Sequence, residues 1–221
     1  VFIYFFVSRK FNNYWHLKVI TLLLLLICLG TPTIPNDSRN LFLFSSKILF
    51  YESNLYTRLN TYDYTVNHFL NVIYAKPKLA ATLTATFAQL LGFWNEIFPK
   101  STNIIIIFPP IIFLISFFKE RVLILLWLFL MLFFSGKLFI NGLMDGIIAL
   151  YFVANILIVH KITLTKAESE KKLLYFTLFL FFSILSLCKH EGGIMILVIV
   201  LSSISIDLIY EKKINYKLLF T

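Results

Sequence analysis

Long apolar runs, separated by short charged loops, constrain the fold of this chain more than any other feature of its sequence. Of its 221 residues, 59% are hydrophobic and only 14% are charged, whereas a soluble domain is about 45–50% apolar and about 25% charged. Such an excess cannot be hidden in the core of one small domain, so much of the protein surface must face lipid. The composition therefore excludes a soluble enzyme, a disordered chain and a nucleic-acid-binding domain.

Six of the apolar runs are long enough to cross a bilayer, several of them with help from flanking aromatic and Lys side chains at the interface. The sequence therefore predicts an all-α fold, a polytopic membrane helix bundle with about six transmembrane helices. The predicted spans are Val19–Gly30, Asn103–Phe118, Val122–Phe139, Asp145–Val159, Leu173–Leu187 and Ile194–Tyr210.

The basic residues predict the orientation of these spans. Twelve of the twenty Lys and Arg residues fall in short segments on one side of the membrane, which the positive-inside rule assigns to the cytoplasm. The N-terminus is then cytoplasmic, and the net charge of +9 is mostly a topology signal rather than the sign of a polyanionic partner. We therefore expect an integral membrane protein.

The long loop 31–102 is predicted to form a layer of amphipathic helices on the outer membrane surface. Leu79–Trp94 is apolar but rich in Thr and Ala, and counting it as a span would place Lys119 and Arg121 outside and reverse every later loop. We therefore predict that it forms a helix lying in the interface. Leu41–Tyr51 can form a similar helix in the same loop.

With this topology, ionisable residues at the span ends collect on the outer face. Each alone can be explained as the cap of a span, but together they suggest a functional cavity, because ionisable groups at such depths are costly. Lysines would supply point charges for a phosphate, and a carboxylate could orient or deprotonate a hydroxyl. No ligand spacing is diagnostic, so a divalent cation is the weaker alternative and no cofactor is specified. The residues are Asp37, Lys76, Lys78, Glu96, Asp145, Lys189, His190 and Glu191.

Four landmarks follow one another on this predicted face. Asn36-Asp37-Ser38-Arg39 opens the outer loop, and Lys76-Pro77-Lys78-Leu79 leads into the interfacial helix. Asp145 then stands between the third and fourth spans, and Lys189, near a Glu-Gly-Gly sequence, follows the fifth. This order resembles the N-terminal half of the GT-C glycosyltransferases. More narrowly, it is similar to the bacterial branch of the lipid A aminoarabinose transferases and the protein O-mannosyltransferase-like proteins.

Members of this family transfer a sugar from a polyprenyl-phosphate carrier to an acceptor at the outer membrane face. By position, the resemblance implies that Asp37 acts as a general base or orients the acceptor, and that Asp145 helps to position the substrate. It assigns Lys76, or its neighbour Lys78, to the carrier phosphate. The candidate catalytic residues are Asp37 and Asp145, and the candidate substrate-binding residues are Lys76, Lys78, Lys189, Glu191, Arg39 and Glu96.

The resemblance also implies that the chain lies in a bacterial inner (plasma) membrane, with its active face periplasmic or extracytoplasmic, and it implies the partners of the chain. These are a polyprenyl-phosphate-linked sugar donor, a lipid, glycan or protein acceptor, and membrane lipid, with no nucleic acid. The chain begins at Val1 and ends directly after an apolar run. We therefore expect residues 1–221 to be the N-terminal part of one GT-C-like transmembrane domain whose C-terminal part is missing.

A transporter or flippase of lipid-linked sugars, or a non-catalytic membrane subunit, is the alternative interpretation. Acids and lysines on the outer face would suit a gate or a binding cavity equally well, and Pro109-Pro110 falls inside the second span. A transporter should carry ionisable groups near the membrane midplane, whereas the span interiors here are almost free of charge. The sequence therefore favours chemistry at the outer surface.

Overall fold

The computed structural model describes residues 43–53, 79–95, 101–117 and 144–210, together with Leu22. Within these residues the fold is all-helical, with six helices and no strand, which confirms the predicted all-α class. The helices are α1 (Phe44–Glu52), α2 (Leu79–Leu91), α3 (Thr102–Phe117), α4 (Asp145–Leu164), α5 (Glu168–Cys188) and α6 (His190–Tyr210).

Two described helices, α4 and α5, are long and apolar enough to cross a membrane. They correspond to two of the six predicted spans, and both extend past the predicted boundaries into charged sequence. The reason is that hydrophobicity marks the part of a helix that needs an apolar environment, whereas helical hydrogen bonding continues through residues such as Lys161 and Lys171. The predicted spans Val19–Gly30 and Val122–Phe139 lie outside the described residues, apart from the helical Leu22.

Helix α4 forms the centre of the described bundle and packs against α3, α5 and α6. Its Tyr151 and Ile158 are fully buried, as are Leu178 and Leu185 of α5. The turn between α4 and α5 contains only residues 165–167, so the two helices must run antiparallel. One extended residue then separates α5 from α6, which therefore returns alongside both.

Helix α3 continues through Pro109 and Pro110 without a break. A proline has no backbone N–H, so Pro110 leaves the carbonyl of Ile106, four residues earlier, without its helical donor. The hydroxyl of Tyr151 on α4 replaces that donor, with an oxygen–oxygen distance of 2.7 Å in a buried position. The contact compensates for the helix defect and also joins α3 to the centre of the bundle.

Helices α1 and α2, which correspond to the two predicted interfacial helices, pack against each other. The face of α2 that is buried in protein consists of small residues, among them Ala81, Ala85 and Ala88, whereas the larger Leu90 and Phe93 are exposed. Small side chains allow helices to approach closely. The structure thus explains the Ala-rich composition of this segment by protein packing, and its position in a membrane interface stays a prediction.

Candidate functional site at the α4–α6 end of the bundle

Three of the predicted site residues meet where α4 and α6 begin and α5 ends. Asp145 is the first residue of α4, and Glu191 lies in the first turn of α6. Lys189 is the single residue between α5 and α6, and its backbone is extended (φ −160°, ψ 153°). Because α4 and α5 are antiparallel and nearly equal in length, the beginning of α4 and the end of α5 lie at the same end of the bundle.

Lys189 holds the two carboxylates together. Its Nζ donates a hydrogen bond of 2.7 Å to Oδ1 of Asp145, which is 44 residues away in the chain. The same Nζ lies 3.3 Å from Oε1 of Glu191. The Lys189 side chain is only 21% exposed, whereas those of Asp145 and Glu191 are 52% and 51% exposed. We call these three residues the Lys189 cluster. The Lys189 side chain is mostly enclosed, and about half of each carboxylate side chain stays exposed.

The electrostatics of the Lys189 cluster favour the protonated, positively charged form of Lys189. Partial burial on its own lowers the pKa of Lys189, but the hydrogen bond to Asp145 and the negative charges of Asp145 and Glu191 outweigh this effect. The pKa of Lys189 therefore lies above the ordinary value of a lysine. Both carboxylates also stand in the first turn of a helix, where the helix dipole favours negative charge.

The net charge of the Lys189 cluster is −1, since one ammonium faces two carboxylates. An incoming phosphate would have to compete with both carboxylates for Lys189. A hydroxyl or amine group, in contrast, would find carboxylate oxygens ready to accept its hydrogen bonds. The arrangement is thus better suited to orienting a hydroxyl than to binding the carrier phosphate through Lys189.

A glycine makes the sharp connection from α5 to α6 possible. A Cβ atom on Gly192 would overlap the backbone carbonyl of Leu185 on α5. Around the neighbouring Gly193, a Cβ atom would meet no atom within 4 Å. The N–H of Gly192 also donates to the carbonyl of Lys189 at 3.0 Å. Close backbone approach at Gly192 therefore fixes Lys189 at the junction, and it explains the first glycine of the Glu-Gly-Gly sequence.

The remaining predicted site residues cannot be related to this cluster. They lie outside the described residues: Asp37, Arg39, Lys76, Lys78 and Glu96. His190 begins α6 and is exposed. Among the described residues, no group of three or more His, Cys, Asp or Glu side chains could hold a metal ion.

A polar residue that the sequence analysis did not single out lies deeper in the bundle. Asn155, ten residues along α4 from Asp145, is 0% exposed. In the part of the chain that the structure describes, neither atom of its amide group has a hydrogen-bond partner. A buried amide without a partner costs about 1–3 kcal/mol. The signal was available in the sequence, because Asn155 is the one polar residue in the middle of the apolar run 146–159 apart from Tyr151.

Comparison with protein-family models, curated proteins and solved structures finds no match for this chain. The resemblance to the GT-C glycosyltransferases therefore depends entirely on the sequence landmarks, and function has to be argued from the residues.

Proposed function

We propose that this chain belongs to a membrane glycosyltransferase that moves a sugar from a polyprenyl-phosphate-linked donor to an acceptor at the outer face of the membrane. One observation carries the proposal. Asp145, Lys189 and Glu191, which come from two distant parts of the sequence, lie within ion-pair distance at one end of a bundle that contains two helices of membrane-crossing length.

A membrane location is supported by the apolar surface of α5. Only 33% of the apolar stretch of α5 is buried in protein. Exposed residues such as Leu173, Phe176 and Phe179 lie along this helix. A soluble protein rarely leaves so continuous an apolar surface in water, whereas lipid would cover it at no cost. That α4 and α5 cross a bilayer is therefore part of the proposal.

In the proposed reaction, a hydroxyl oxygen of the acceptor attacks the anomeric carbon of the donor sugar. The new carbon–oxygen bond forms as the bond from that carbon to the carrier phosphate breaks, and the phosphate leaves with the electron pair. Asp37, together with Asp145, would orient the hydroxyl and accept its proton. Lys189 would hold the Asp145 carboxylate in place, and the charge developing on the phosphate is assigned to Lys76 or Lys78.

A turnover assay on the full-length protein in detergent tests this proposal. It follows release of free polyprenyl phosphate from a panel of polyprenyl-phosphate sugars. Because a positioned general base contributes about 10²–10⁴-fold, Asp145→Asn should lower the rate by at least roughly 100-fold, and Asp37→Asn should have a similar effect. Glu170→Gln is the matched control, since it removes a carboxylate that pairs with Lys161 at 3.8 Å in another ion pair.

Two outcomes would count against the proposal. Wild-type turnover by Asp145→Asn would remove Asp145 from the chemistry. No release from any donor, by wild-type protein that still binds the lipid, would favour the alternative of a transporter, flippase or non-catalytic subunit. Asn155 is the observation in favour of that alternative, since polar groups inside membrane helices often line substrate paths. Movement of a labelled lipid-linked sugar across vesicles, lost in Asn155→Leu, would support it directly.

A further inference from the structure

A groove between α4 and α6 is separate from the Lys189 cluster. Its volume is about 490 Å³, within the range of about 300–1,000 Å³ that small-molecule pockets have. Phe152 and Ile156 of α4 and Val198 and Ile199 of α6 form its apolar part. Ile156 and Val198 are exposed, so the groove is open along one side. An elongated apolar molecule could enter it sideways from the surrounding lipid.

Polar side chains lie at the other end of the groove. His160 and Thr163 are contributed by α4, and Ser202 and Ser203 by α6. The hydroxyls of Thr163 and Ser203 donate to backbone carbonyls at 2.7 Å and 2.8 Å, so each oxygen offers a ligand only an acceptor. The His160 ring and the exposed Ser202 hydroxyl can act as donors. Polarity therefore increases along the groove toward the carboxyl ends of α4 and α6.

This polar end also lies beside the basic turn of the bundle. The segment 160–172 carries four lysines and two glutamates, a net charge of +2. Lys166 follows Thr163 by only three residues, and Lys161 follows His160 directly. A ligand that fills the groove thus meets an apolar wall first and then hydrogen-bonding groups, and the basic turn follows next along the chain.

We propose that the groove binds one anionic glycerophospholipid. An acyl chain would occupy the apolar part between Ile156 and Val198, and the phosphate would lie near His160, Ser202 and the basic turn. Basic pockets between transmembrane helices are a recurrent way to bind anionic lipid headgroups. The inference requires α4 and α6 to lie in the bilayer, but it does not depend on glycosyl transfer, because the site lies away from Asp145.

Lipid retention by the full-length protein tests the inference. The protein is stripped in neutral detergent and incubated with phosphatidylglycerol or with phosphatidylcholine of the same acyl chains, and bound lipid is counted by native mass spectrometry. Phosphatidylglycerol should be retained about tenfold better than phosphatidylcholine, which corresponds to about 1.4 kcal/mol of binding free energy. Equal retention of the two lipids would overturn the proposed headgroup recognition.

Two neighbouring substitutions on α6 locate the bound lipid. Val198→Trp fills the groove and should lower retention of phosphatidylglycerol about tenfold. Leu197→Trp is the matched control, because Leu197 is exposed but does not line the groove, and it should retain lipid like the wild type. Equal retention by the two variants, both with wild-type helix content, would overturn the site. If a polyprenyl phosphate at equal concentration displaces the phospholipid, the proposed ligand is wrong and the groove is assigned to the polyprenyl-phosphate carrier.

Discussion

Replacing Tyr151 by Phe should destabilise the bundle, because it removes the hydroxyl that takes the place of the backbone donor missing at Pro110. The hydroxyl of Tyr151 donates to the carbonyl of Ile106 at 2.7 Å, and Pro110 cannot supply the helical donor. A buried carbonyl that loses its partner costs about 1–3 kcal/mol. The Phe ring keeps the packing, including the edge contact with Phe181 at a centroid distance of 5.0 Å, so the loss reports the hydrogen bond.

The size of the stability loss in Tyr151→Phe distinguishes compensation for Pro110 from an ordinary hydrogen bond between helices. Hydrogen bonds between membrane helices contribute on average only ~0.6 kcal/mol, since their groups usually find another partner when the bond is lost. The carbonyl of Ile106 has lost its normal backbone donor, so we expect the effect of Tyr151→Phe to exceed that average. The free energy of unfolding can be measured by denaturant titration in detergent, with helical circular dichroism as the signal.

A double-mutant cycle tests the role of the proline itself. Pro110→Ala restores an N–H that can donate to Ile106, so Tyr151→Phe should cost less in that background. We expect a coupling free energy of at least ~0.5 kcal/mol, the lower end for residues that share a partner. If Tyr151→Phe costs the same with Pro110 and with Ala at that position, the hydroxyl is not compensating for the missing helical donor and the reasoning is refuted.

Three further predictions concern the Gly192 connection, the Lys189 cluster and the contact between α2 and α3. Gly192→Ala should destabilise the fold by roughly 1–3 kcal/mol through overlap with backbone, whereas Gly193→Ala should stabilise the helix by about 0.5–1 kcal/mol; thermal unfolding of the two variants checks this. The folded-state pKa of Lys189 lies above its unfolded value of about 10.4. Its contribution is therefore fully present below that pH and is lost as the pH rises through the folded value. Unfolding measured from pH 8 to about pH 12 should show a larger alkaline loss of stability in the wild type and in the exposed control Lys172→Met than in Lys189→Met. Thr84→Val should cost about 1 kcal/mol, because the Thr84 hydroxyl shares a buried hydrogen bond of 2.8 Å with a hydroxyl of α3.

The sequence was sufficient to predict that Asp145, Lys189 and Glu191 lie at one end of the bundle, but not how they pair. Asp145, Lys189 and Glu191 were identified because charged residues at the ends of apolar runs are unusual. Their ion pairs depend on the helices extending beyond the apolar runs, to Leu164 and back to Glu168, so that a turn of only three residues places the beginning of α4 beside the end of α5. Hydropathy does not contain that information, because polar helical turns look the same as polar loops.

Contacts between helix faces could not be predicted from the sequence, for a different reason. The hydrogen bond from Tyr151 to Ile106 depends on how α3 and α4 are rotated about their axes. Helix α4 is apolar on all sides, so no amphipathic stripe indicates which face meets α3. The groove between Ile156 and Val198 was missed for the same reason, since it requires the relative rotation of α4 and α6. Only Asn155, a polar residue in an apolar run, was visible as an anomaly.

The two ends of the described bundle differ in charge, and this difference links the two proposals. The Lys189 cluster carries −1 at the end where α4 begins, whereas segment 160–172 carries +2 at the end where α4 stops. The positive-inside rule assigns the basic end to the cytoplasm, so the Lys189 cluster would face outward, where the proposed transfer takes place. The groove, with its polar end beside the basic turn, would then take its phospholipid from the cytoplasmic leaflet. The two orientations can be distinguished by introducing a single Cys at Lys166 or at His190 and adding a membrane-impermeant thiol reagent from outside. We expect the reagent to label only the His190 position. Labelling of the Lys166 position would reverse the bundle and place the Lys189 cluster in the cytoplasm.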